Sequence, residues 1–176
     1  MRATLSSPRL TLRPATSDDA VFLHTHWNRP DVRRFLWDDQ EVTQTKVEQV
    51  LARSDRDFTA SGYGLWLVLL SPDGESVGVC GLRQIEGHDL VEILYSIEPH
   101  HWGVGLATEA ASTVVSYAFD RLGLKELYGE VDDGNDASVR VLEKLGMRFF
   151  KDIDVGDRPT PYYVRRSSDD VGERDV

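Results

Sequence analysis

The chain has 176 residues, a formal net charge of −10 and one cysteine, with 40% hydrophobic and 28% charged residues. Such a length fits a single domain with its own core, and these proportions exclude a disordered chain or a small disulfide scaffold. The acidic balance argues against a nucleic-acid-binding protein, which would carry a basic surface. It favours cationic partners, although solubility alone would account for most of these charges.

The single cysteine and the N-terminal segment give no sign of export. Cys80 lies in an apolar run, so we predict a buried small hydrophobic residue rather than a reactive thiol. Residues 1–8 lack the apolar segment of a signal peptide. No apolar run approaches the roughly 18 residues of a membrane helix. We therefore expect a cytoplasmic protein with no membrane attachment.

The first half of the chain is predicted to begin with a strand and to continue with helices. Alternation of apolar and polar residues marks the strand, and capping residues mark the helix starts. The predicted elements are a strand at 10–13, helices at 17–27 and 31–37, and a helix starting at Thr43 or Thr45. The polar stretch 54–62 is interpreted as a loop or a frayed helix end.

The second half has the pattern of an antiparallel meander followed by alternating helices and strands. Turn signals separate the apolar runs, and a 3.6-residue period marks the helices. The predicted elements are strands at 65–70, 76–84 and 90–97, a helix at 105–122, a strand at 126–131, a helix at 136–145, and strands at 147–153 and 161–166. This order predicts an α+β fold, a mixed sheet with helices on its faces.

A glycine-rich turn at 101–108 follows a predicted strand and opens the long predicted helix. Backbone N–H groups at a helix start bind anions, and glycines let that backbone approach a phosphate closely. The turn lacks the Gly-Lys-Ser/Thr of a Walker loop, and Thr108 stands where a dinucleotide site would have its third glycine. The turn thus predicts a phosphate or pyrophosphate site. A dinucleotide ligand and a plain tight turn are the weaker alternatives.

Residues 101–110, His-Trp-Gly-Val-Gly-Leu-Ala-Thr-Glu-Ala, resemble the pyrophosphate loop of the GNAT acetyltransferase superfamily. The RimJ/RimL-type branch, with Tyr-Trp-Gly-Lys-Gly-Tyr-Ala-Thr-Glu-Ala, is the most similar. Val-Glu-Ile-Leu-Tyr at 91–95 is similar to that branch's Ala-Glu-Ile-Gly-Tyr, and Asn135, Ser138 and the Lys-Leu-Gly at 144–146 match its last helix. His100 departs from the usual Gln or Arg. In order and spacing, the matches cover residues 8–166.

The resemblance implies a mostly antiparallel sheet that is split at its centre, with helices on both faces and acetyl-CoA inserted between two diverging strands. It implies one domain over 1–166, which leaves 167–176 as an acidic, disordered tail. The co-substrate contacts would come from Ile97, Trp102, Gly103, Val104, Gly105, Leu106, Ala107, Thr108, Asn135 and Ser138. No metal is implied.

An alkyl amine is mostly protonated at neutral pH and must lose a proton before it attacks a thioester. The resemblance places Glu92 beside the thioester as the base, whereas the alternative reading makes it a solvated strand residue. Glu98, His100 and His101 are other candidate bases, since histidine is a common proton acceptor near neutral pH. Ser138 matches the position of a proton donor to the CoA thiolate, and a helix-capping role stays open for it.

The expected function is direct transfer of an acetyl group to a primary amine, either a protein N-terminus or a small molecule. A catalytically silent acyl-CoA sensor of the same fold is the alternative, which the presence of Glu92 and Ser138 disfavours. Of Trp27, Phe35 and Trp37, near the implied acceptor site, at least two are expected to pack in the core. The acceptor is not a nucleic acid, and the resemblance allows a monomer or a homodimer.

Overall fold

The computed structural model describes residues 2–132, 134–155 and 158–168. The strands are β1 (Leu5–Ser6), β2 (Leu10–Pro14), β3 (Leu65–Leu70), β4 (Ser76–Gln84), β5 (Val91–Ile97), β6 (Glu126–Glu130), β7 (Arg148–Val155) and β8 (Arg158–Arg166). The α-helices are α1 (Ala20–Trp27), α2 (Pro30–Leu36), α3 (Gln44–Ser61), α4 (Leu106–Asp120) and α5 (Asp136–Lys144). All the predicted strands and helices are present, with bounds shifted by a few residues.

The strands form one sheet in the order β1-β2-β3-β4-β5-β6-β8-β7. The predicted meander of β3, β4 and β5 is confirmed, because both of its pairings are antiparallel. The pairing of β5 with β6 is parallel, since α4 carries the chain back between them. The mixed, mostly antiparallel α+β fold class is therefore confirmed.

Helices cover both faces of the sheet because the buried strands are apolar on both faces. In β3, Trp66 and Val68 pack in the cluster that contains α4 residues such as Val114. The alternate residues Leu65 and Leu67 pack with residues of α1, α2 and α3 on the opposite face. A strand buried on both faces has a continuous apolar sequence, as 65–70 does.

Helix α3 is longer than the sequence predicted. The polar stretch after Leu51 continues the helix to Ser61, and Gly62 ends it in a left-handed conformation (φ 77°). Two buried residues hold this part of the helix in place: Phe58 is 4% exposed, and the Ser54 hydroxyl accepts the Leu65 N–H at 2.7 Å. The prediction of a loop or frayed end was therefore wrong, because two buried residues among polar ones gave too weak a periodic signal.

Cys80 is fully buried, and burial raises the pKa of its thiol. The prediction of an inert core residue is confirmed. Within the described part of the chain, no helix combines the length and apolar character needed to cross a membrane. Of the predicted tail at 167–176, Ser167 and Ser168 are described, and the remainder lies outside the described residues.

Glu109, in the first turn of α4, ties the turn between β1 and β2 to this helix. Its carboxylate accepts hydrogen bonds from the Ser7 hydroxyl at 2.7 Å, the Arg9 backbone N–H at 2.8 Å and the Arg9 Nε at 2.6 Å. Arg9 also donates to the Val104 carbonyl at 2.9 Å. Burial alone would raise the pKa of Glu109, but the hydrogen bonds from Ser7 and Arg9 outweigh burial and lower it.

We expect Glu109→Gln to lower the free energy of unfolding by about 1–2 kcal/mol at neutral pH, because the amide cannot accept all three bonds and carries no charge. A lowered folded-state pKa stabilises the fold above the unfolded pKa, and this contribution is lost as the pH falls through the folded pKa. Urea unfolding from pH 7 to pH 4 should therefore show that the difference in unfolding free energy between the wild type and Glu109→Gln becomes smaller as the pH falls. The exposed Glu48→Gln on α3 is the control, and an equal loss at every pH would contradict the prediction.

Candidate active site

The two central strands separate partway along their length. Within the described residues, β5 and β6 pair at Glu92–Tyr128 and Ile93–Gly129, whereas β5 continues to Ile97. A cavity of about 690 Å³ occupies the resulting gap, and residues 94–97 and Glu130 form part of its walls. The predicted split of the sheet is thus present between β5 and β6.

The backbone of β5 turns some of its peptide groups toward this gap. The Glu98 N–H bonds the Val77 carbonyl on β4 at 2.8 Å. Because successive residues point their peptide groups to opposite sides of a strand, Ile97 and Tyr95 turn theirs toward the gap. The Ile97 carbonyl accepts the indole N–H of Trp102 at 2.6 Å. The gap thus exposes a strand edge to which an extended ligand could bond.

The glycine-rich turn forms one end of the cavity. Gly103 and Gly105 have left-handed backbones, with φ of 79° and 83°, which glycine adopts at little cost. Gly105 precedes the first residue of α4 and provides no side-chain cap, so the N–H groups of the first turn stay available to a ligand. Residues 105–108 line the cavity. The helix start can therefore hold an anion such as a pyrophosphate.

The other loop residues divide into those inside and those outside the cavity. Trp102 lines it while remaining 50% exposed. The Val104 side chain is 58% exposed, and its carbonyl is bonded by Arg9. The Val104 backbone is thus held by Arg9, and its neighbours Gly103 and Gly105, rather than Val104 itself, line the cavity.

Helix α5 borders the gap opposite β5 and brings two predicted residues to it. The Asn135 side chain caps this helix by accepting the Ser138 N–H at 3.2 Å. The Ser138 hydroxyl lies 2.9 Å from the Tyr95 hydroxyl, and all three residues line the cavity. Burial raises the pKa of Tyr95, so its phenol stays protonated and can donate a hydrogen bond.

Glu92 is buried, 3% exposed, where the two strands separate. Its Oε1 accepts the Arg83 Nε–H at 2.7 Å. Its Oε2 is also buried, and within the described residues it has no hydrogen-bond partner. A buried carboxylate oxygen without a donor is costly, so this site is suited to a ligand that brings N–H groups. The alternative of a solvated strand residue is excluded by the burial.

The other candidate bases lie away from Glu92. Glu98 is 4% exposed and is paired with His26 at 2.9 Å and Arg29 at 2.6 Å. The side chains of His100 and His101 lie 3.9 Å and 3.4 Å from the Glu75 carboxylate. The structure therefore does not bring these residues together with Glu92.

Comparison with known proteins decides the family. The model for the "Acetyltransferase (GNAT) domain" family matches residues 9–148. The chain belongs to the GNAT acetyltransferase family. It is an acyltransferase by this membership, and its split sheet is the GNAT fold.

Two curated relatives and one solved structure show the extent of the likeness to GNAT proteins. The chain is 32% identical to "Uncharacterized protein YkkB" of Bacillus subtilis (strain 168), over 94% of this chain and 97% of the relative. It is 29% identical to spermidine N(1)-acetyltransferase of Escherichia coli (strain K12), over 80% of this chain and 74% of the relative. The acetyltransferase of Agrobacterium tumefaciens str. C58 superposes with a TM-score of 0.84 at 24% identity, over 94% of this chain and 95% of that one.

Residues of α2 line the cavity at the end away from the glycine-rich turn. Phe35 lines it there, whereas Trp27 and Trp37 pack against each other with ring centroids 5.1 Å apart. Two of the three aromatic residues thus pack against each other, as expected from the sequence for at least two of them. Charged side chains of both signs line the cavity: the cationic ones are Arg53, Arg83, Arg140 and Lys144, and the acidic ones are Asp31, Asp38, Glu86, Glu92, Glu130 and Asp132.

Three residues that line the cavity were not predicted as site residues from the sequence. Tyr95 was named only as part of the motif at 91–95 and was given no role. Strand alternation places its side chain on the face opposite Glu92. Arg83 and Tyr162 were not singled out. Burial, the charges of Glu92 and Glu130 and the closeness of its hydroxyl to the Glu92 carboxylate raise the pKa of Tyr162, and the hydroxyl lies 3.4 Å from a Glu130 oxygen. No local pattern marks these contacts, because they join separate strands.

Proposed function

We propose that this GNAT enzyme transfers the acetyl group of acetyl-CoA directly to a primary amine. The observation that carries the proposal is the gap between β5 and β6, which runs from the glycine-rich turn to the buried carboxylate of Glu92. An acyl donor entering at one end of this gap and an amine entering at the other would meet beside β5. We place the enzyme in the RimJ/RimL-type branch on the motif at 101–110.

Acetyl-CoA fits the gap from the end formed by the turn. Its pyrophosphate would lie on the N–H groups of residues 103–108, where the glycines bring the backbone close and the helix dipole favours negative charge. The pantetheine arm would bond the exposed edge of β5 at Ile97 and Tyr95, in exchange for the bond from Trp102. Asn135 and Ser138 would contact the arm from α5. Lys144 is a surface charge in our proposal rather than a required phosphate contact.

The acceptor would bind as an ammonium group against Glu92. Its N–H groups would satisfy the buried Oε2 atom that has no partner among the described residues. Glu92 would then take a proton from the ammonium and leave the amine free to attack the thioester carbonyl carbon. Arg83 holds the carboxylate through Oε1 and so orients the other oxygen.

The hydroxyls of Ser138 and Tyr95 would act on the leaving group. The C–S bond breaks as the C–N bond forms, and the departing thiolate needs a proton. Ser138 would donate it, with its own hydroxyl held by Tyr95 at 2.9 Å. A backbone N–H on the exposed edge of β5 would stabilise the negative charge that develops on the carbonyl oxygen.

A small polycationic amine is the acceptor class that the charges favour. Six carboxylates, Glu92 among them, line the cavity against the four cationic side chains of Arg53, Arg83, Arg140 and Lys144, and an excess of one sign of charge attracts ligands of the opposite sign. The similarity to a spermidine N(1)-acetyltransferase supports the same class. We therefore rank polyamines above a protein N-terminus.

The proposal is tested by incubating the enzyme with acetyl-CoA and a panel of amines while following thiol release. The panel contains polyamines, aminoglycosides and peptides with Ser or Ala at the N-terminus. CoA binding is followed in parallel by the tryptophan fluorescence of the chain, to which the half-exposed Trp102 on the turn contributes. We expect CoA to change the emission and polyamines to give the fastest release.

Each other outcome would count against a defined part of the proposal. CoA binding without thiol release from any amine would favour the silent sensor. Release with peptides alone would keep the transfer and overturn the polyamine ranking. No change in emission and no thermal stabilisation by CoA, which a native-state ligand must produce, would contradict the co-substrate itself.

A further inference from the structure

A second polar network ends at the cavity wall, on the same face of β5 as Glu92. The Ser96 hydroxyl lies 2.8 Å from His26 Nε2, and His26 Nδ1 lies 2.9 Å from Glu98 Oε1. The other Glu98 oxygen pairs with the Arg29 Nε at 2.6 Å. His26 is fully buried on α1, whereas Ser96 is partly exposed and lines the cavity. The chain of contacts therefore leads from the cavity into the protein.

The chemistry of the partners fixes the direction of these hydrogen bonds. A carboxylate can only accept, so the Nδ1 of His26 carries the hydrogen that points to Glu98. In the neutral ring the Nε2 then accepts, and the Ser96 hydroxyl donates to it. This is the order hydroxyl, imidazole, carboxylate that makes a hydroxyl able to pass on a proton.

Burial keeps the imidazole in its neutral form. It lowers the pKa of His26 below its ordinary value, against the opposing attraction of Glu98 and a contact with the Ser96 backbone. Glu98, after β5, and Arg29, after α1, are charged groups that face His26, and His100 lies 3.7 Å from the Glu98 oxygen that pairs with Arg29. Phe22 stacks on the His26 ring from its own helix at 5.7 Å. At neutral pH the ring is thus free to accept a proton at Nε2.

We propose that Ser96 is a second proton acceptor for the acceptor amine and that it passes the proton to His26, which Glu98 positions. This inference rests on the proposed function. Ser96 lies 4 positions along β5 from Glu92, and the alternation of side chains along a strand places both residues on the same face. Leu94, between them, packs with the helices of that face.

Two sites are needed because an ammonium acceptor loses two protons during acetylation. Glu92 takes the first and makes the nitrogen nucleophilic. As the C–N bond forms and the C–S bond breaks, the second proton passes from nitrogen to the Ser96 oxygen, while the Ser96 proton passes to His26 Nε2. The CoA thiolate takes one proton from Ser138, which solvent reprotonates, and Glu92 and His26, the latter through Ser96, give up their protons to solvent when the products leave. One proton is released in the net reaction.

A purely structural role explains the network less well. A buried carboxylate and imidazole cost desolvation energy that apolar side chains of similar volume would avoid. The network also places its one partly exposed hydroxyl on the cavity wall. Both features are expected of a proton path.

Ser96→Ala tests the inference with a change too small to disturb folding. We expect kcat with the best amine of the panel to fall about tenfold to a hundredfold, since a positioned proton acceptor contributes on that order or more. The affinity for CoA, measured by fluorescence, should stay within about twofold. Ser76→Ala on β4 lies outside the cavity lining and is the matched control.

The pH profile separates proton transfer from packing. The wild-type enzyme should lose kcat as the pH falls below the ordinary histidine range, where His26 becomes protonated. Ser96→Ala should lack this acid limb, and Glu98→Gln should shift it. A merely structural role would leave the profile unchanged in shape.

Three results would overturn the inference without touching the proposed function. The first is an unchanged kcat in Ser96→Ala, the second is a loss of kcat/KM that comes only from a raised KM, and the third is an unchanged acid limb of the pH profile. A fourth, a mass gain of one acetyl group in the wild type that Ser96→Ala lacks, would replace the proton path by a covalent acyl-serine. An inactive wild type would instead contradict the proposed function.

Discussion

Glu92→Gln should lower kcat/KM for the acceptor about a hundredfold or more and leave CoA binding nearly unchanged. The substitution keeps the shape of the side chain but removes the negative charge and the ability to take a proton, which general-base catalysis requires. Because Arg83 is 45% exposed and also lies 3.7 Å from Glu130, losing its partner should have little effect on folding. Thiol release with a polyamine, at several pH values, is the measurement.

The control for this substitution is Glu143→Gln, an exposed position on α5 outside the cavity lining. It should match the wild type in rate and in stability. If Glu92→Gln keeps kcat/KM within about threefold of the wild type, Glu92 is not the base. Ser96 would then be left as the remaining candidate on that face of β5.

Gly78→Ala should lower the free energy of unfolding by about 2–3 kcal/mol, a large effect for one added methyl group. A Cβ atom at this position would meet the Ser96 carbonyl oxygen and come within 2.9 Å of the Ile97 Cα. Both are backbone atoms of β5, which cannot move aside as a flexible side chain would. Overpacking of this kind costs on the order of 1–3 kcal/mol, and here it must displace one strand from another.

The same substitution should also weaken CoA binding, by about tenfold, because the displaced segment of β5 is the edge proposed to bond the pantetheine arm. Urea unfolding and tryptophan fluorescence measure the two effects. Gly87→Ala is the control, since no atom of the described residues lies within 4 Å of its Cβ position and only the left-handed backbone costs about 1 kcal/mol. A Gly78→Ala variant as stable as the wild type would show that the strands accommodate the methyl group.

The sequence predicted the elements of this fold because most of them are defined locally. Helix α4 has a continuous 3.6-residue period, and the turns around β4 have strong glycine and proline signals. Strand β1 was missed because its two residues leave no pattern. The end of α3 was missed because only tertiary contacts of Ser54 and Phe58 hold it.

The site was predictable in part. The glycine-rich turn was found from its own residues, Glu92, Asn135 and Ser138 were found through the family resemblance, and their roles remain predictions. The Tyr95–Ser138 and Ser96–His26 contacts join residues 43 and 70 positions apart. Local sequence patterns do not report which residues meet across such separations, because the order of strands in the sheet decides it.

The gap between β5 and β6 has a consequence for inhibition and turnover. If the pantetheine arm completes the sheet there, the acetyl donor and the product CoA share nearly all of their contacts, since they differ only by the acetyl group. Product would then compete with donor at similar affinity, and its departure would require the strand bonds to break one after another. The rate of acetylation in a cell would follow the ratio of acetyl-CoA to free CoA rather than the concentration of acetyl-CoA alone.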